Sequence, residues 1–134
     1  MSKFTILLSA QLSTLSPAVN DSRHTQLIAD IRKAGLSTIV ECQGVYKGVP
    51  EDSLAVPCNY LYEVEALSQL ATDYEQESIL MIKNETGQAT LRFMDKTQHA
   101  IILGTWCKTT GWDCRENHDN YTFFPEANKY YVCR

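Results

Sequence analysis

No glycine-rich loop follows the first apolar segment of this 134-residue sequence. Residues 10–20 read AQLSTLSPAVN and hold no glycine. A Rossmann-type site needs glycines between its first strand and helix so that the backbone can approach the ligand, so a conventional methyltransferase architecture is excluded. The five cysteines, at positions 42, 58, 107, 114 and 133, contain no CxxC pair. Their odd number rules out a fully paired disulfide framework within one chain. With His118 as the lone candidate partner near Cys107 and Cys114, the spacing does not make a zinc site, and no metal is expected. Free thiols in a reducing compartment are the natural reading. No apolar run approaches the roughly 18–20 residues of a membrane span. The N-terminal MSKFTILLSAQLS turns polar too quickly for a signal peptide and reads as a first strand. The net charge of −4 provides no basic face for nucleic acid. Long acidic runs, which a DNA mimic would need, are missing too. No low-complexity segment suggests a linker, so residues 1–134 read as a single domain, expected in the cytoplasm.

What is present is an alternation of short β-prone runs and amphipathic helices. Residues 3–9 (KFTILLS) read as a buried strand. Asp21 or Ser22 offers a helix cap, and Leu27, Ile28 and Ile31 form one face of a helix that Gly35 ends. Residues 36–42 and 53–58 read as the second and third strands. Asn59 offers another cap, and Val64, Leu67, Leu70, Ala71 and Tyr74 recur at helical spacing. Residues 78–83 (SILMIK) make a fourth strand. This order predicts an α+β, ferredoxin-like βαββαβ antiparallel sheet with both helices on one face, spanning about residues 3–84. A β-rich tail follows over 88–134. Residues 89–94 and 99–106 read as strands, 108–120 as a polar loop, and 121–124 with 129–133 as a terminal hairpin.

The stretch 45–56, VYKGVPEDSLAV, stands out. Gly44, Gly48 and Pro50 punctuate it as a loop between strands, the kind of place where reactive side chains are displayed. Tyr46 and Glu51 would then stand at one end of the sheet. Ser9 closes the first strand. Glu41 closes the second and faces either a pocket or a subunit contact. Ser22, Arg23 and His24 form a cluster on paper, although capping accounts for Ser22 and a helix face for His24. Glu75 and Glu77, flanking Gln76, read as a solvated face. Trp106 and Trp112 read as core or interface aromatics.

Several stretches occur in an order that resembles one family. These are LLSAQ (7–11), NDSRH (20–24), KAGL (33–36), VE (40–41), GVY (44–46), PEDSLAV (50–56) and ATDYEQESILMI (71–82), with a weaker echo in YTFFPEANKYYVC. Together they are similar to the phage-encoded S-adenosylmethionine lyases, formerly called hydrolases. The resemblance implies a ferredoxin-like fold and a homotrimer with sites between subunits. It also implies S-adenosylmethionine as substrate, with no cofactor, and an anti-restriction role. It carries the family's essential glutamate to Glu51, its active-site tyrosine to Tyr46 and a polar residue after the second helix to Gln76. Ser9, Glu41 and Ser22 are further substrate-binding candidates.

The chemistry implied needs little from a protein. S-adenosylmethionine is a sulfonium whose own carboxylate can displace methylthioadenosine, giving homoserine lactone. The enzyme must hold the methionine tail bent, a task suited to a carboxylate that binds the ammonium group and an aromatic beside the sulfonium. Attack by water would instead give homoserine directly and make Glu51 a general base. Two readings of other classes stand beside this one. The first is a trimeric ferredoxin-like sensor that binds a nucleotide-like ligand without chemistry. The second is a small inhibitor acting through protein contacts. Formation of methylthioadenosine separates all three.

Overall fold

The run FTILL forms strand β1 (Phe4–Leu8) in the computed structural model, which describes residues 2–134. The chain continues through α1 (Pro17–Lys33), β2 (Val40–Tyr46), β3 (Val49–Cys58), α2 (Leu61–Asp73), β4 (Ser78–Lys83), β5 (Gln88–Phe93), β6 (Ile101–Thr109), α3 (Gly111–Asn117), β7 (Tyr121–Phe124) and β8 (Lys129–Cys133). Strands β1, β3 and β4 are apolar on both faces, so each face builds a core of its own. On the outer face Ile6, Leu8, Leu54, Val56 and Ile79 pack against Leu27 and Ile31 of α1 and Val64, Leu67 and Ala71 of α2. On the inner face Leu7, Cys42, Ala55, Ile82 and Ala89 meet Trp106 and Phe124. The Trp106 ring stacks on Tyr131 with centroids 5.1 Å apart, and Phe124 meets Tyr131 edge-on at 5.6 Å.

The open ferredoxin-like sheet expected from the sequence does not form. All eight strands join one closed antiparallel barrel in the order β1-β3-β2-β7-β8-β6-β5-β4, which closes through the β1–β4 pair. A four-stranded sheet made of β1 to β4 would leave β4 and β2 as bare edges, with unpaired backbone groups exposed. Strand β5 pairs with β4 (Leu80↔Leu91) and β7 with β2 (Gly44↔Thr122), and β6 and β8 bridge the gap. The tail is therefore half of the barrel wall, and closure removes the edges.

Local chemistry also moves several element ends. Helix α1 begins at Pro17, because the Ser16 hydroxyl accepts a hydrogen bond from the Val19 N–H at 3.3 Å and proline suits the first helical turn. Ser22 is thus inside the helix rather than at its cap. At α2 the capping group is Glu63, whose Oε1 accepts from the N–H groups of Asn59 and Tyr60 at 2.8 and 3.0 Å. The polar stretch 108–120, read as a loop, contains α3. There the Thr110 hydroxyl accepts from the Asp113 N–H at 3.1 Å. The Asp113 carboxylate in turn gathers Thr109, Asn117, His118 and Arg134 at 2.7, 2.8, 3.1 and 3.0 Å. The Thr109 hydroxyl, then the Asn117 amide, with further help from His118, hold its pKa down to about 2. Gly104 lets the chain end close onto β6. A Cβ there would lie 2.2 Å from the Arg134 carbonyl oxygen, which accepts from the Thr105 N–H at 2.8 Å.

Candidate active site around Glu51

The segment predicted as a loop is a tight hairpin. Strands β2 and β3 run on to Tyr46 and Val49 and are joined through Lys47 and Gly48, whose φ angles of 51° and 79° fit the mirror-image turn favoured in hairpins. Glu51 therefore lies within β3, opposite Gly44. Alternation puts it on the face of Ser53 and Ala55, and Ala55 belongs to the inner core. Glu51 is thus a half-buried carboxylate on the barrel's inward side, facing a residue without a side chain.

The end of β1 is tied to the same place. Ser9 follows Leu7 on the inward side and is buried. Its hydroxyl donates to the Asp52 carbonyl at 2.7 Å and accepts from the Gln11 N–H at 3.0 Å. The Gln11 side-chain oxygen accepts from the Asp52 N–H at 3.1 Å. Both backbone groups of Asp52 are thus clamped by residues 9–11, which fixes the backbone next to Glu51. The Gln76 amide reaches in from the end of α2, donating to the Gln11 carbonyl at 3.1 Å and to that of Tyr74 at 3.2 Å.

Burial pushes the Glu51 carboxyl up from its ordinary value, the Ser9 hydroxyl pulls it back, and the neighbouring Asp52 charge adds to the rise. Ser9 has one proton, and the short bond to the Asp52 carbonyl holds it, so the upward push prevails. Among the described residues no Lys, Arg or His forms an ion pair with Glu51. A half-buried carboxylate without a cation attracts one from outside.

The remaining candidates are distributed differently. Tyr46 shares the hairpin but is 64% exposed, with the Lys47 ammonium 5.4 Å from its ring centre. Glu41 points away from the barrel interior and is held by His24 Nε2 at 2.8 Å. It lines a separate cleft of about 250 Å³ with His24, Gln43, Asp52 and Glu126. Ser22 is exposed on α1. The fold therefore brings Ser9 beside Glu51, ties Gln76 to the same clamp through Gln11, keeps Tyr46 on the same hairpin, and leaves Glu41 and Ser22 elsewhere.

Sequence reasoning passed over Gln11, the residue that joins Ser9, Asp52 and Gln76. Its only signal was its place in the LLSAQ string. The buried thiols are chemically quiet: burial pushes Cys42 up to about 12 and Cys58 up to about 11. Among the described residues no group of three or more His, Cys, Asp or Glu side chains is placed to hold a metal ion, and no helix is long and apolar enough to cross a membrane.

No curated protein matches this sequence. Residues 6–134 match the model of the S-Adenosylmethionine lyase family, nearly the whole chain. The chain belongs to that family and is an S-adenosylmethionine lyase enzyme.

Proposed function

We propose that this enzyme cleaves S-adenosylmethionine by intramolecular displacement, releasing L-homoserine lactone and 5'-methylthioadenosine. The observation that carries this reading is Glu51, an inward-facing, half-buried carboxylate with no cationic partner among the described residues. The ligand supplies two cations, an ammonium and a sulfonium. Glu51 holds the ammonium through charge-assisted hydrogen bonds. The methionine tail then bends so that its carboxylate oxygen approaches the γ-carbon in line with the carbon–sulfur bond. Oxygen–carbon bond formation and carbon–sulfur bond cleavage proceed together, and the electron pair leaves on a neutral thioether. No proton needs to move in that step, and nucleophile and leaving group both lie within the substrate, so no metal or cofactor has a part. Fixing such a geometry is worth on the order of 7–11 kcal/mol in the best intramolecular cases. Ser9 stands beside Glu51, and Gln76 supports that wall through Gln11. Tyr46 presents its ring to the sulfonium.

The exposed Tyr46 and Val49, at 64% and 66%, support a further element of the reading. The hairpin meets a second copy of the chain in a homotrimer, with sites between subunits. Destruction of the common methyl donor in a host cytoplasm would starve methyltransferases and cofactor-dependent restriction enzymes, the anti-restriction role of a phage-encoded enzyme. Reaction in heavy-oxygen water tests the chemistry. The first product is lactone without label, with homoserine following it. Label in the earliest lactone, or homoserine formed directly, makes water the nucleophile and Glu51 its base. Binding without any methylthioadenosine makes the protein a sensor.

A further inference from the structure

The NDSRH stretch is only partly accounted for by the site. Asn20 secures the loop before α1, donating to the Leu12 carbonyl at 2.9 Å and accepting from its N–H at 3.0 Å. Asp21 and Ser22 are exposed and His24 engages Glu41. Arg23 is left. We propose that Arg23 is a positioning residue for the lyase reaction, holding residues 9–11 and Gln76 in the arrangement that sets Glu51.

Its side chain is mostly buried, 20% exposed. Nε donates to the Ala10 carbonyl at 2.7 Å and Nη2 to the Tyr74 carbonyl at 2.6 Å. Ala10 stands between Ser9 and Gln11, the residues that clamp Asp52. The Tyr74 carbonyl is also the acceptor for the Gln76 amide. One planar guanidinium thus joins the end of β1 to the end of α2, and both ends lead through Ser9 and Gln11 to the Asp52 backbone next to Glu51. The guanidinium carbon lies 5.3 Å from the Tyr74 ring centre, and the Tyr74 hydroxyl donates back to Asp30 of α1 at 2.7 Å.

The end of α2 needs such a restraint. Glu75 has φ 61°, a left-handed conformation usually left to glycine at this position. The Gln76 N–H closes the helix end on the Ala71 carbonyl at 2.9 Å. Arg23 Nη1, 3.7 Å from the Glu75 carboxylate, holds that turn from the α1 side. A lysine cannot take the place of this fork, because a single ammonium on a flexible stem does not reach two diverging carbonyls with fixed geometry.

This proposal rests on Glu51 as the site carboxylate, and the test separates the two. The full chain carrying Arg23→Gln, Arg23→Lys or Tyr74→Phe is compared with wild type for kcat and KM on S-adenosylmethionine, measured well below each melting temperature. Ligand-free hydrogen exchange is followed at the Gln11, Asp52 and Gln76 amides. Arg23→Gln is expected to lower kcat by about a hundredfold, the scale of a displacement of about 1 Å in the reacting geometry, and to speed exchange at all three amides. Arg23→Lys falls between. Tyr74→Phe, which keeps the ring and the carbonyl, stays within about twofold of wild type. An Arg23→Gln protein that melts lower but keeps wild-type kcat and exchange has lost only structural support, and overturns the proposal. Equal losses in Tyr74→Phe and Arg23→Gln indicate general softening and overturn it too. If Arg23→Gln does not fold, unchanged kcat and exchange in Arg23→Lys overturn it instead. A fully active Glu51→Gln enzyme beside an impaired Arg23→Gln enzyme moves the site away from Glu51 and leaves Arg23 as a positioning residue.

Discussion

Replacing Glu51 with glutamine keeps the side chain's size and one oxygen acceptor while removing its charge. A charge-assisted hydrogen bond to a ligand ammonium is worth about 1.5–3 kcal/mol. At about 1.4 kcal/mol per factor of ten, that is a loss of roughly ten- to a hundredfold in rate. A methionine tail no longer held bent costs more, so turnover is expected to fall at least about a hundredfold.

Stability should move the other way. Burial raises the Glu51 carboxyl above its ordinary value of 4.5. The folded chain therefore binds its proton more tightly than the unfolded chain does. The sign follows from linkage: stability falls as pH rises from the unfolded pKa through the raised folded one, and stays lower above it. Glu51→Gln removes that loss, so the variant should melt at or above the wild-type temperature at neutral pH. The difference should shrink below pH 4.5, where the carboxyl is protonated in both states. Methylthioadenosine release measured by mass, with thermal melts at neutral and acid pH, reads both effects. A Glu51→Gln protein that is folded, assembled and close to wild-type turnover would refute the assignment. The search would then pass to Glu41 and Glu75.

Chelation should leave methylthioadenosine formation unchanged, and loss of activity restored by one metal ion would contradict the metal-free displacement. Because Asp113 is held down to about 2 from 3.8, the stability it contributes is complete above the higher value and is lost as pH falls toward the lower. Asp113→Asn should flatten that part of the acid melting curve, and parallel curves for variant and wild type would count against its role as hub of the α3 region. Gly104→Ala places a methyl group against the Arg134 backbone at a φ of 126°; it should cost about 1–3 kcal/mol, read from the denaturant midpoint, and a neutral result would show that the chain end does not close on β6. Leu67→Ala, fully buried between α2 and the outer face of the sheet, should cost about 2–5 kcal/mol with kcat intact below the melting temperature. An equal loss of kcat there would tie the outer core to catalysis.

The sequence by itself determined the elements whose causes are local. Helical spacing in α2, the runs FTILL and SILMIK, and the terminal hairpin over 121–124 and 129–133 are set by periodicity and turn residues within a few positions. The ordered stretches around LLSAQ and PEDSLAV also carried the family and its substrate, in agreement with the match over residues 6–134. Only the tertiary structure decided that the sheet closes. The pair Val45↔Tyr121 joins strands far apart in the chain, and the register Trp106↔Cys133 builds the other wall. Neither contact leaves a mark on local periodicity, because pairing of distant strands depends on which edge remains free once nearer strands have formed. The same holds for the site. The sequence pointed to Glu51 as the candidate carboxylate, but not to its setting. Its raised pKa, the clamp on Asp52 from Ser9 and Gln11, and the reach of Gln76 all come from groups brought together across the fold. A carboxylate's chemistry is set by its burial and neighbouring charges, and those exist only once β1, β3 and the end of α2 have met.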